Sequence, residues 1–157
     1  MNVRHPCFVA FKVDNVARFE ALRAAYEAIK HDKDTDEWRV EEDWLSFFDD
    51  EALAYFWWPT KEETEAYWAR WWGTPIPQRW TDPAVQAPSW DFLSMIDAFK
   101  NGEYELQACR LVDEGHGQLE FDPWAFPYGG TGCMRMLIRA FGFEVTAEED
   151  GTGYRPA

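Results

Sequence analysis

The stretch "YELQACRLVDEGHGQLEFD", Tyr104 to Asp122, decides the fold. Two runs of strand-forming residues flank "DEGHG", whose Asp and glycines suit a tight reversal, and the pattern predicts a β-hairpin. A hairpin makes its strands antiparallel, and helical patterns lie on both sides of it. Upstream, Ser89 is placed to cap a helix running to about Lys100, with Phe92, Leu93, Ile96 and Phe99 on one side and Asn101-Gly102 at its end. Downstream, "TGCMRMLIRAF", Thr131 to Phe141, predicts a helix capped by Thr131 and ended by Gly142, followed by a short strand near "FEVTA".

The first half repeats the alternation. "CFVAFKV", Cys7 to Val13, reads as a strand between Pro6 and Asp14-Asn15. Asn15 then caps a helix whose stripe is Val16, Phe19, Leu22, Tyr26 and Ile29, a core-facing pattern. "WRVEEDWLSFF" and "EALAYFWW" suggest two neighbouring strands joined at Asp49-Asp50, with a helix as the alternative for Glu51 to Trp58. "TKEETEAYWARWWG" predicts a helix, with capping-box spacing at Thr60 and Glu63 and a stop at Gly73. Thr74 to Pro88 carries four prolines and reads as an extended connection or a subdomain seam. The order β-α-β-β-α, Pro-rich connection, α-β-β-α-β gives an α+β class: a mostly antiparallel sheet with about four helices packed on it, residues 1–157 forming one domain. No internal repeat or low-complexity segment interrupts it.

The chain has 157 residues, 46% of them hydrophobic and 18% aromatic, with ten Trp and twelve Phe. That is enough apolar material for a core, so disorder is not expected. Twenty-nine acidic against fifteen basic residues give a formal charge of -14. Such a field repels nucleic acid phosphates and anionic membranes, which disfavours direct nucleic-acid or membrane binding, and it steers basic proteins inward. The same charge also serves to keep an aromatic-rich chain in solution. Cys7, Cys109 and Cys133 are an odd, scattered set that suggests neither a disulfide framework nor a zinc ribbon. With no evident secretory signal at the N-terminus and no long apolar run, the expected location is the cytoplasm.

Several constellations invite a chemical reading. The turn Gly129, Gly130, Thr131, Gly132 followed by Arg135 resembles an anion cradle at a helix start, but it lacks the Lys-Ser/Thr of a phosphate loop and the third glycine of a dinucleotide turn. The simpler reading is a helix start whose glycines permit unusual backbone angles. Cys133 would sit in the first turn, where a helix dipole favours a thiolate, yet neither His5 nor His116 has a local signature tying it to the thiol as a base. A small buried apolar role is expected instead. Asp32, Asp34, Asp36 and Asp43 have calcium-loop positions, but Glu37 stands where the loop needs glycine. No metal and no cofactor are therefore expected. Trp-flanking carboxylates in "EEDWLSFFDDE" and "EETEAYWARWW" would suit a sugar cleft, but with so many acids such pairs also arise by chance.

The remaining feature is the Trp-rich helix and its continuation: Tyr67, Trp68, Trp71, Trp72, Pro75, Pro77 and Trp80. The rings cannot all be buried, and Trp beside acidic residues is what an interface for a basic partner presents. The expected function is thus a non-enzymatic binding protein for a basic protein surface. Trp71, Trp72 and Trp80 are its anchor candidates, and Glu62, Glu63 and Glu65 its rim. The small, acidic, aromatic-rich profile is similar to that of bacterial immunity proteins, which would make the partner a toxin and this chain its inhibitor. The alternatives are a small enzyme or anion-binding domain built on the Gly-rich turn and Cys133, and a nucleic-acid mimic whose carboxylates stand in for phosphates.

Overall fold

Residues 7–85, 90–125 and 128–157 are described by the computed structural model. Strand β1 (Cys7–Lys12) leads into helix α1 (Val16–Thr35), where Asn15 accepts a hydrogen bond from the Arg18 backbone N–H at 3.1 Å and so caps the first turn. Two short helices follow, α2 (Glu41–Leu45) and α3 (Asp50–Ala54), then α4 (Lys61–Gly73) and a single-turn α5 (Ile76–Arg79). A 3-10 turn at Pro83–Val85 precedes α6 (Phe92–Asn101). The predicted hairpin is β2 (Tyr104–Asp113) and β3 (His116–Pro123), and α7 (Gly132–Ala140), β4 (Glu144–Glu149) and β5 (Tyr154–Pro156) complete the order.

The sheet runs β2-β3-β1-β4-β5 with every neighbouring pair antiparallel, so the α+β class is the observed one. Val9 pairs with Leu119 and Cys7 with Phe121 across β1 and β3. Opposite Phe11 stands Gly117, whose lack of a side chain leaves room for the phenyl ring: a Cβ there would lie 2.6 Å from Phe11 Cζ. Helices α1, α6 and α7 pack together with strands of the sheet around one hydrophobic cluster, which includes Val9, Phe11, Leu22, Ile29, Phe99 and Leu137. Lys33, in the last turn of α1, donates to the carbonyls of Phe99 (2.8 Å) and Gly102 (2.7 Å), and it thereby joins the C-terminal ends of α1 and α6.

The pair of strands expected at Trp38 to Trp58 is instead the helix pair α2 and α3; of the helix kept as the alternative for Glu51 to Trp58, α3 covers the first part and stops at Ala54. The buried residues there are Trp44, Phe48, Ala52 and Phe56, one every fourth position, which is a helical interval and not the alternation of a strand. Asp49-Asp50 does not close a hairpin. Asp49 caps α3 by accepting from the Ala52 backbone N–H at 2.9 Å, and it also pairs with Arg18 of α1. With α2, α3 and α5 added, the described residues hold seven α-helices where about four were expected.

Three smaller expectations also change. Asp91 caps α6 by accepting from the Ser94 backbone N–H at 3.0 Å, whereas Ser89 lies outside the described residues. On that helix Met95 is buried and Leu93 is exposed. The Pro-rich connection carries α5 and the 3-10 turn, with residues 86–88 outside the described set.

Candidate functional site

Helix α4 begins at Thr60. Its hydroxyl accepts from the Glu63 backbone N–H at 3.1 Å while the Glu63 carboxylate accepts from the Thr60 N–H at 3.2 Å, the reciprocal pair of a capping box. The helix stops at Thr74, held extended by the proline that follows. Arg79 of α5 folds back over this end: its Nε donates to the carbonyls of Trp71 and Thr74, both at 2.9 Å, and its guanidinium lies 4.9 Å from the centre of the Trp72 ring. A cation with donors aimed at the last carbonyls is the favourable partner for a helix C-terminus.

No residue of α4 is buried. One side, formed by Thr64, Tyr67 and Trp71, is half-buried, and Tyr67 meets Trp57 edge to face at 5.6 Å. Glu65 and Trp72 lie on the outward side, and Trp68 sits between the two sides, stacked on Trp72 at 6.4 Å. Trp72 is 67% exposed and Trp80 is 73% exposed. Trp71 is different: Trp80 packs edge-on to it at 5.1 Å, so it supports the cluster from beneath. Glu62 and Glu65 are exposed, and so is Glu63, although its carboxylate is engaged in the cap. The structure thus brings Trp72, Trp80, Glu62 and Glu65 to the surface and gives Trp71 and Glu63 supporting positions.

Between α4 and α6 lies a cleft of about 600 Å³. Its aromatic walls are Trp57, Tyr67, Trp68 and Trp90, and its charged lining residues are Asp91 and Asp97. The floor is tied down by a backbone bond from the Trp57 N–H to the Trp90 carbonyl at 2.9 Å and by a parallel bridge between Trp57 and Asp91. The sequence reading did not single out Trp57, Trp90, Asp91 or Asp97. The available signal was positional, because Trp57 precedes α4 and Trp90-Asp91 lies just after the Pro-rich segment Thr74 to Pro88 read as a seam.

At the other candidate, Gly129 and Gly130 adopt left-handed angles, φ 101° and 80°, before α7. Thr131 is buried, but its hydroxyl makes no helix cap and donates instead to Glu148 of β4 at 2.8 Å. Glu148 also accepts from Arg155 at 3.1 Å and lies 3.9 Å from Arg135. The chain's own carboxylate therefore stands beside Thr131 and Arg135, where an external anion was considered. Cys133 is buried, 3.3 Å from the Tyr104 hydroxyl, and burial pushes its thiol up to about 11, away from the thiolate. No histidine bonds to it among the described residues, and His5 lies outside them.

The aspartates considered as a calcium loop take other positions. Asp32 is buried in the last turns of α1 and accepts from the Arg39 backbone N–H at 2.9 Å, and Asp36 is the left-handed residue that ends the helix. Among the described residues no group of three or more His, Cys, Asp and Glu side chains converges as a metal site, and no helix is long and apolar enough to cross a membrane. Trp44, the ring of the first acidic-aromatic segment, is 1% exposed and has no face for a sugar.

Searches against known protein families, characterised proteins and solved structures find no match to this chain.

Proposed function

We propose that the protein is a non-enzymatic binding protein that recognises a basic protein surface through α4 and α5, in the manner of a toxin-neutralising immunity protein or inhibitor. The observation that carries this reading is that a capped helix holding three tryptophans buries none of them fully. Leaving Trp72 and Trp80 in water forgoes roughly 1.5 to 3 kcal/mol for each large apolar side chain that a partner would cover. The aromatic surface is rigid, since Arg79 and the ring contacts fix the end of α4, and rigid aromatic anchors lose little entropy on binding. Glu62 and Glu65 are exposed on the same helix, and the net charge of -14 favours encounter with a cationic partner.

The test begins with the immobilised protein used to capture its partner from a native lysate, followed by association and dissociation kinetics with the purified partner. A basic partner whose association slows with added salt, and which dissociates faster from Trp80→Ala, is the expected result. A partner bound with no dependence on salt or on Trp72 and Trp80 would sink the reading.

A further inference from the structure

We propose that the cleft between α4 and α6 receives an arginine-bearing segment of the basic partner, its guanidinium held against the aromatic walls beside Asp97. This rests on the reading of the protein as a binder of basic surfaces, and it adds a second, recessed site with its own chemistry. Three observations carry it. Among the described residues the lining combines four aromatic side chains with two carboxylates and no cationic side chain. The volume of about 600 Å³ is that of a pocket for a short peptide segment rather than for one methyl or one ion. The floor is fixed by the Trp57–Trp90 backbone bond and the Trp57–Asp91 bridge, so the walls stand ready before a ligand arrives.

Arginine is the side chain that this lining suits. Its planar guanidinium is weakly hydrated, stacks on indole faces and still offers donors at its edge, whereas the lysine ammonium is compact and strongly hydrated. Asp91 already accepts from the Ser94 backbone N–H and hydroxyl, at 3.0 and 2.6 Å, and is therefore held in place as a fixed negative charge. Asp97 lies six residues further along, exposed on α6 at the cleft, and is the carboxylate presented for a charge-assisted bond. The molecule itself shows the same chemistry nearby: Arg79 lies over the Trp72 ring while bonding to carbonyls at its edge.

The test uses the full chain and acetyl-Gly-Arg-Gly-Arg-Gly-amide, monitored through the indole N–H resonances assigned by single Trp→Phe substitutions. Two control peptides replace arginine with lysine, or with citrulline, which keeps the shape and removes the charge. The expected result is a saturable shift of the Trp57, Trp68 and Trp90 signals with the arginine peptide, weaker with lysine and absent with citrulline. Asp97→Asn should weaken binding by about three- to tenfold with the melting curve unchanged. An equal response to lysine or citrulline overturns the guanidinium assignment. Shifts confined to Trp72 and Trp80 overturn the cleft while leaving the outward aromatic surface as the binding site, and no shift at any indole overturns the proposal outright.

Discussion

The Trp90 indole lies so close over Gly132 that a Cβ on that glycine would stand 3.1 Å from Cη2 and 3.2 Å from Cζ2 of the ring. The glycine that opens α7 thus seats one wall of the cleft. Replacing it sets two effects against each other. Alanine favours a helix interior over glycine by about 1 kcal/mol and gains less at this first helical position, whereas the new methyl presses on the partly exposed Trp90 ring. Gly132→Ala should change stability by less than about 1 kcal/mol while altering Trp90 emission, read by melting and by fluorescence against a Trp90→Phe background. Gly117→Ala is the contrasting case. Its methyl would meet the fully buried Phe11, and overpacking of about 1 to 3 kcal/mol should appear as a clear fall in melting temperature.

Arg79 is the residue that ties α4 to the turn beyond it. Arg79→Met keeps much of the apolar stem and removes the donors. Because α4 buries no residue, the loss should be local: faster amide hydrogen exchange along Lys61 to Gly73 with little change in global melting. Equal loss of protection in β1 and β3 would mean that α4 is part of the central cooperative unit, contrary to its placement here.

Much of the fold was legible because its patterns are local. The DEGHG turn fixes the hairpin, the Phe19, Leu22, Tyr26 and Ile29 stripe marks α1, and Thr60 with Glu63 announces α4. The stripe's first member, Val16, is exposed because it precedes the part of the helix that meets the core. Trp38 to Trp58 misled because two helices of one and a half turns show too little periodicity, and because an Asp that caps a helix looks in sequence like an Asp in a turn. Strand β5 was missed because three residues carry almost no strand signal. Arg155 holds it through Glu148 and Asp150, which are charges rather than a pattern. That some of the rings from Tyr67 to Trp80 stay in water was readable from spacing and prolines, but that these are Trp72 and Trp80 rather than Trp71 was not. Nor was the cleft, since Trp57 and Trp90 are distant in sequence and are brought together by a backbone bond that leaves no sequence pattern.

Alkaline pH should destabilise the protein through its buried thiols. Burial pushes Cys133 up to about 11 and Cys109 up to about 12, against 9.0 for an unperturbed thiol. The native state therefore keeps protons that the unfolded chain releases. This contribution is complete below pH 9 and is lost as pH rises through 11 to 12. Melting temperature should fall from about pH 9 upward, with Cys133→Ala flattening part of that slope. A melting temperature constant to pH 11 would contradict the burial of these thiols.

The proposed binding of a basic protein by the outward aromatics and the α4 carboxylates separates into a long-range and a contact component. Glu62→Gln with Glu65→Gln should mainly slow association and flatten its salt dependence, since attraction across solvent is screened within about 10 Å at ordinary salt. Trp80→Ala should mainly speed dissociation and cost about 2 kcal/mol or more of affinity, while its exposed position leaves folding stability nearly unchanged. The deciding measurement is the pair of rate constants for these folded variants against the purified partner across a salt series. The carboxylate variant is expected to change association, and Trp80→Ala to change dissociation. Wild-type rates in both variants, at every salt concentration, would contradict the proposed binding.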